Sequence, residues 1–260
     1  MQVKDIIEIL EGLAPASYAC SWDNVGLQAG RRLAEVHKIY IGLDATDEVV
    51  EDAVRKGCDF LLTHHPLIFS PIKKVNEDTL EGRRLLRMIE SGMAYYAMHT
   101  SYDAAPGAMA DLAAERLGIK NGVPMEVTEE PAGIGRIGEL EEPVTVREFC
   151  DRVKKEFHLP QVMLYGGHPD KMVYRAAVLP GSGGSEALLA ESLGADAYVT
   201  GDLTHHKAID AAAWGLTVID AGHYGIEWIF IPHMAEYLKE RLPKDIEIFT
   251  APIELPGQVM

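Results

Sequence analysis

The apolar positions change period several times along the chain. Ile6, Leu10 and Leu13 recur at helical spacing with charges between them, which predicts a first amphipathic helix in "MQVKDIIEILEGLAP". "KIYIGLD" reads as a strand, "TDEVVEDAVRKG" as a helix with Thr46 at its N-cap, and "DFLLT" as a short strand. A charged helix around "EGRRLLRMIESG" and a strand at "MAYYAM" follow. "APGAMADLAAERLG" predicts a further helix, with Pro106 near its start and Gly118 at its end. Towards the C-terminus a charged helix through "AEYLKERL" precedes a last strand, "IEIFTA". Strands alternating with helices predict an α/β protein with largely parallel sheets.

The pattern also repeats. "KGCDFLLTHH" (56–65) aligns with "LGADAYVTGD" (193–202): glycine, one residue, aspartate, an apolar strand, threonine. A strand and helix precede each copy, and a helix, a glycine and a strand follow it. One half then ends in His99-x-x-x-Asp103 and the other in His223-x-x-x-Glu227. The order of elements, more than any one window, predicts an internal duplication: two similar α/β lobes with a site between them. The stretch "NGVPMEVTEEPAGIGRIGELEEPVT" (121–145), rich in Gly, Pro and Glu, reads as the separator. This places a first lobe at 1–127, joined by the C-terminal segment 226–260, and a second at 128–225.

Composition narrows the classes. At 260 residues with 47% hydrophobic and 25% charged, the chain can bury a sizeable core. No run approaches the roughly 18 apolar residues of a membrane span, and the N-terminus lacks the pattern of a signal peptide. Cys20, Cys58 and Cys150 are far apart and form no C-x-x-C, which argues against a cysteine zinc site and fits a cytoplasmic location. The formal charge of −16 opposes phosphate neutralisation and so argues against nucleic acid as a partner.

"LLTHHPLIF" (61–69) raises the chemical question: two adjacent histidines stand where a buried strand ends. Mid-strand they would point to opposite faces; at the strand end, with Pro66 forcing extended backbone on His65, they can diverge slightly and serve neighbouring metals. Histidine and carboxylate are ligands for zinc, iron or manganese. His64, His65, Asp103, His223 and Glu227 all fall at or just past predicted strand ends, where open α/β sheets place their ligands. His223 and Glu227 share a face if "GHYGIEWIF" opens a helix. A lone strand-end histidine is usually structural; the joint pattern is what argues for metal. His99 is a ligand, a partner of a ligand, or a substrate contact.

A second pair, His205 and His206, lies just past the place corresponding to His64, where Gly201 and Asp202 stand instead. Asp202 is suited to hydrogen-bond a ligand imidazole or to contact substrate; capping by Asp202 or Thr204, with exposed imidazoles, explains the stretch equally well. "SWDNVGLQAG" (21–30) reads as a turn whose Trp-Asp-Asn can rim a site. "GIGRIG" (133–138) lacks the βαβ context of a dinucleotide loop. "PGSGGSEA" is a strand-to-helix turn rather than an anion site.

"SWDNVGLQAG", "GLDATDEVV", "LLTHHPLIF", "MHTSYDAAPGAMADLAAERLG", "GIGRIGEL", "VTGDLTHHKAIDA" and "DAGHYGIEW" together resemble the Nif-three-like dinuclear metal proteins, often labelled type 2 GTP cyclohydrolase I homologues. The resemblance spans nearly the whole chain. It implies two intertwined α/β lobes, two divalent metal ions per chain, a toroidal homohexamer, and ligands at His64, His65, Asp103, His223 and Glu227. The label implies hydrolytic opening of a guanine imidazole ring with loss of formate. The expected function is therefore a metal-dependent hydrolase acting on a small molecule, a nucleotide or N-heterocycle. His99, Asp202 and His206 are its candidate proton carriers, and Lys207 and Arg136 its candidate nucleotide contacts. The alternative is a non-catalytic metal carrier or scaffold. A ring threaded by nucleic acid ranks last.

Overall fold

In the computed structural model, which describes residues 1–257, the chain forms two compact units. One is Met1–Tyr102 with Ile229–Ile253, and the other is Asp103–Trp228 with the tail from Glu254. Each carries its own sheet.

The first unit opens with α1 (Val3–Glu11), which buries Val3, Ile6, Ile7 and Leu10 along one stripe. Its strands are β1 (Gly26–Ala29), β2 (Lys38–Gly42), β3 (Phe60–Thr63), β4 (Ala94–Ala97) and, returning from the C-terminus, β11 (Glu247–Thr250). They lie in the order β1-β4-β3-β2-β11, with β11, β2, β3 and β4 parallel and β1 antiparallel on the edge. β3 and β4 are buried at every position, which is why they read as unbroken apolar runs rather than alternating ones. The crossovers are α2 (Asp47–Arg55) and α3 (Leu80–Glu90). Thr46 Oγ1 caps α2 by accepting from Val49 N at 3.2 Å, as the sequence predicts, and Thr79 does the same for α3 from Gly82 N at 3.0 Å. Tyr40, Val50, Ala53, Leu61, Met88 and Tyr95 pack together beneath these helices. α4 (His99–Ala104) follows β4, and α10 (Phe230–Arg241) precedes β11.

The second unit contains α5 (Met109–Leu117), β5 (Ile119–Glu129), β6 (Ala132–Thr145), α6 (Val146–Glu156), β7 (Met163–Tyr165), β8 (Met172–Ser182), α7 (Ala187–Ser192), β9 (Ala197–Gly201), α8 (His205–Ala213), β10 (Thr217–Asp220) and α9 (His223–Glu227). Its sheet runs β5-β6-β8-β9-β10-β7; β8, β9 and β10 are parallel and β7 is an antiparallel edge. Gly118 closes α5 in the left-handed conformation, φ 75°, as expected of a helix-ending glycine. Pro106, in contrast, lies in the turn ahead of α5, and the helix begins at Met109.

Residues 121–145 correct the sequence reading. They are not a linker but most of a long antiparallel hairpin, in which Val123 pairs with Ile137 and Glu126 with Ile134. Their composition misleads because β5 is an edge strand, and an edge tolerates Pro124. Through this hairpin, residues 103–127 belong with the second unit's sheet.

Among the described residues no helix is long and apolar enough to cross a membrane. Cys20, Cys58 and Cys150 are free thiols.

Candidate metal centre

In the first unit the donors follow β3. The turn that presents them is pinned at one carbonyl: Thr63 Oγ1 donates to His65 O at 2.7 Å, and Tyr95 OH lies 2.9 Å from the same oxygen. Leu67 N donates to Tyr95 OH at 2.8 Å. The backbone holds both imidazoles as well, through His65 N to Leu43 O (2.9 Å) and His99 N to His64 O (2.8 Å). The His64 and His65 rings stand 4.8 Å apart at 53°, so they diverge without pointing to opposite faces. His64 is fully buried, with Phe230 (5.4 Å) and Tyr102 (6.1 Å) against its ring. Tyr102 OH is in turn held by His233 Nδ1 at 2.6 Å.

Each exposed-side imidazole has a carboxylate behind it. His65 Nδ1 meets Asp44 Oδ1 at 2.8 Å, and His99 Nδ1 meets Asp23 Oδ1 at 2.8 Å. A carboxylate only accepts, so Nδ1 carries the proton and Nε2 keeps its lone pair. This is the arrangement that orients metal-ligating histidines and raises their basicity. Burial pushes the Asp23 carboxyl up, but the hydrogen bond and charge of His99, with two donors from Thr100, outweigh it and leave its pKa below the usual value.

The second unit repeats the device after β9 and β10. His223 Nδ1 meets Asp202 Oδ2 at 2.8 Å, while its Nε2 faces Glu227 Oε2 at 3.1 Å. With Nδ1–H directed at Asp202, the second contact sets two acceptors against each other, so a proton or a metal cation must be shared between them. His223 and Glu227 lie four apart on α9, as expected if that stretch is helical, and Glu227 is 2% exposed. Asp220 fixes the frame, accepting from Leu203 N at 3.0 Å and Gly222 N at 2.9 Å. Two glycines leave room for these donors. A Cβ at Gly181 (φ 78°) would stand 2.5 Å from Glu227 Oε1, and one at Gly201 would stand 2.5 Å from His223 N. Among the described residues, His99 (φ 34°) and Asp202 (φ 53°) are two of the four non-glycine residues with left-handed backbone, a conformation that concentrates at functional sites.

The structure thus groups His64, His65 and His99 in the first unit, and Asp202, His223 and Glu227 in the second. Asp103 lies on α4, one turn beyond His99. His206 sits exposed on the first turn of α8, its ring 5.3 Å from His205. Lys207 is also exposed on α8. Arg136 is only 3% exposed: its guanidinium is bound to Asp111 and to the carbonyls of Gly133 and Gly135, so it is not available to a nucleotide. Asp44, Tyr102 and Phe230 are absent from the sequence reading. Asp44 left a usable signal, an aspartate directly after the apolar strand in "IGLDAT".

Donors suited to a metal ion, His64 and His65 in the first unit and Glu227 in the second, come from distant stretches of the sequence. Fold and donors define the class, a two-sheet α/β protein with histidine and carboxylate donors suited to metal binding. The family model Duf34/NIF3 (NGG1p interacting factor 3) matches residues 1–256, and the chain belongs to that family. The GTP cyclohydrolase 1 type 2 homolog of Clostridium perfringens is 36% identical over 253 residues, covering 96% of both chains. That of Methanocaldococcus jannaschii is 35% identical over 254 residues, covering 96% of this chain and 99% of its own. Among solved structures, Staphylococcus aureus protein SA1388 aligns with a TM-score of 0.89 at 26% identity, covering 100% of this chain and 99% of its own. Reduced HcgD from Methanocaldococcus jannaschii aligns with a TM-score of 0.85 at 33% identity, covering 96% and 97%.

Proposed function

We propose that His64, His65, Asp103, His223 and Glu227 together hold two divalent metal ions, and that the protein is a metal-dependent hydrolase of a nucleotide or N-heterocycle. The observation that carries the reading is the carboxylate behind an imidazole in each unit, Asp44 on His65 and Asp202 on His223, both at 2.8 Å. The donor set suits zinc, iron or manganese. Such an ion, when bound, lowers the pKa of a water towards neutrality and polarises the electrophile beside it.

The protein's own residues then have distinct tasks. Asp44 and Asp202 fix the tautomer and direction of His65 and His223. His99, its Nδ1–H directed at Asp23, keeps an acceptor at Nε2 that can take a proton from water and return it to the ring nitrogen as a C–N bond breaks. Asp202 acts through His223. His206, exposed on α8, is the weaker candidate for proton transfer. The name borne by the relatives, GTP cyclohydrolase 1 type 2 homolog, supports a fused-ring C–N bond as the target.

The matching strand orders of the two sheets support an internal duplication as their origin. A toroidal homohexamer, implied by the family resemblance, and a cytoplasmic location, which the scattered free cysteines fit, belong to the same reading.

The test is elemental mass spectrometry on protein purified without added metal, followed by formate release from GTP and hydrolysis across a panel of nucleotides and cyclic amides. Near two equivalents per chain, falling in His65→Ala and His223→Ala, together with turnover on the panel, are expected. No metal after reconstitution with zinc, iron or manganese would sink the ligand assignment, and no turnover would sink the hydrolase.

A further inference from the structure

We infer that Trp22 and Phe69 form a binding platform for a planar heteroaromatic ring, such as a nucleobase, on the His99 side of the first unit's donors. The inference deepens the hydrolase reading and rests on it for the location of the chemistry.

Trp22 and Phe69 are 61% and 53% exposed, yet they come from separate loops and meet with ring centroids 5.9 Å apart. Scattered exposed apolar residues need no explanation; two converging aromatic rings do. Both also converge on one imidazole, since the His99 ring lies 6.0 Å from Trp22 and 6.1 Å from Phe69, edge-on to each. His65 continues the line at 5.6 Å from His99. Trp22 and Phe69 are tilted by 56° rather than stacked, so neither covers the other's face.

The two loops are held in place. Ile68 N donates to Gln28 Oε1 at 2.9 Å, and Ile68 O accepts from Asn24 Nδ2 at 2.5 Å, which ties the residue before Phe69 to the Trp22 loop. On its other flank that loop is anchored by Asp23, next to Trp22, which accepts from Thr100 N (3.1 Å) and Thr100 Oγ1 (2.5 Å). Cys20 N donates to Thr100 Oγ1 at 2.9 Å. Exposed aromatic rings whose backbones are fixed in advance lose little conformational freedom when a ligand arrives. Every nucleobase has a π-face to offer them, and the adjoining imidazoles select a ring that brings nitrogen and carbonyl groups within reach.

The experiment uses full-length, metal-loaded protein and calorimetric titration with guanosine, with ribose as the control. The parent should bind guanosine and not ribose. Trp22→Ala and Phe69→Ala should each weaken guanosine about tenfold, as loss of one stacking ring does, whereas Trp22→Phe should stay close to the parent. Bound metal should be unchanged in all three. A parent that binds guanosine no better than ribose, or alanine variants that keep its affinity, would overturn the inference. So would a change in native mass with affinity intact, which would make these rings a contact between copies. Guanosine binding that depends on Trp22 in a protein that hydrolyses nothing would remove the hydrolase and keep the platform.

Discussion

The two sheets use one strand plan to present different donors. In each, three parallel strands end beside an antiparallel edge strand: β2-β3-β4 with β1, and β8-β9-β10 with β7. The registers match too, since Ile39 pairs with Phe60 as Ala176 pairs with Ala197, equally far along the chain. Even the strand starts are clipped alike. Asp59 Oδ2 accepts from His37 N and Lys38 N, and Asp196 Oδ2 from Tyr174 N and Arg175 N, at 2.8–3.0 Å. At the strand ends the plan diverges. Asp44, His64 and His65 of the first unit correspond to Gly181, Gly201 and Asp202 of the second. Where the first places side chains, the second has glycines, and the space is taken by Glu227 and by the backbone of His223. The shared strands determine where donors stand; the side chains at their ends decide which element supplies them.

The largest effect that would break this comparison is expected at Gly201. In Gly201→Ala the new Cβ meets His223 N at 2.5 Å and Gly222 C at 2.6 Å, backbone atoms that cannot swing aside. We expect a loss of about 1–3 kcal/mol in thermal unfolding, as for other overpacked sites, and reduced metal content. An unchanged melting curve with full metal would show that α9 is not held against β9. Next come Asp44→Asn and Asp202→Asn, which keep shape but remove the charge behind one imidazole. Each should weaken metal binding about 10–100-fold by competition with a chelator, without a large change in stability. If only one does so, the units do not share the ligand task.

Asp59→Ala and Asp196→Ala sharpen the comparison at smaller scale. Each removes the acceptor for two backbone N–H groups that are exposed or half-buried, and each should cost about 0.5–1.5 kcal/mol in denaturant unfolding. Unequal costs would mean that the matched clips do different work. The smallest expected effect is in acid. Burial lowers the pKa of His233 below its ordinary value of 6.5, so the folded state favours the neutral ring. Its contribution is complete above about pH 6.5 and is lost as pH falls towards the lower folded value. His233→Gln should flatten the decline in melting temperature below that pH; an unaltered slope would exclude His233 as a source of it.

Much of this was legible because local rules decided it. Thr46 capping α2, Gly118 ending α5, the buried β3 and β4, and His223 with Glu227 on one short helix all follow from residue type and spacing. The hairpin of β5 and β6 was not legible, since an edge ribbon of Gly, Pro and Glu has the composition of a linker and only its pairing reveals it. Asp44 escaped for another reason. It lies far from His65 in sequence and is joined to it only because β2 and β3 are neighbours. Arg136 misled in the opposite sense: its charge made it a candidate nucleotide contact, whereas its guanidinium is taken up by Asp111 and two carbonyls.

The placement of α10 and β11 bears on how the chain is made. β11 pairs in parallel with β2, yet the whole second unit is translated between them. Synthesised from the N-terminus, the first sheet therefore waits with one edge of β2 open until β11 emerges, while the strands of the second sheet, β5 to β10, form one continuous stretch that can pair beforehand. The sheet that begins forming first is the one completed last. Its unpaired strand edge, exposed during that interval, is where a ribosome-bound chain of this kind is most vulnerable to pairing with the wrong partner.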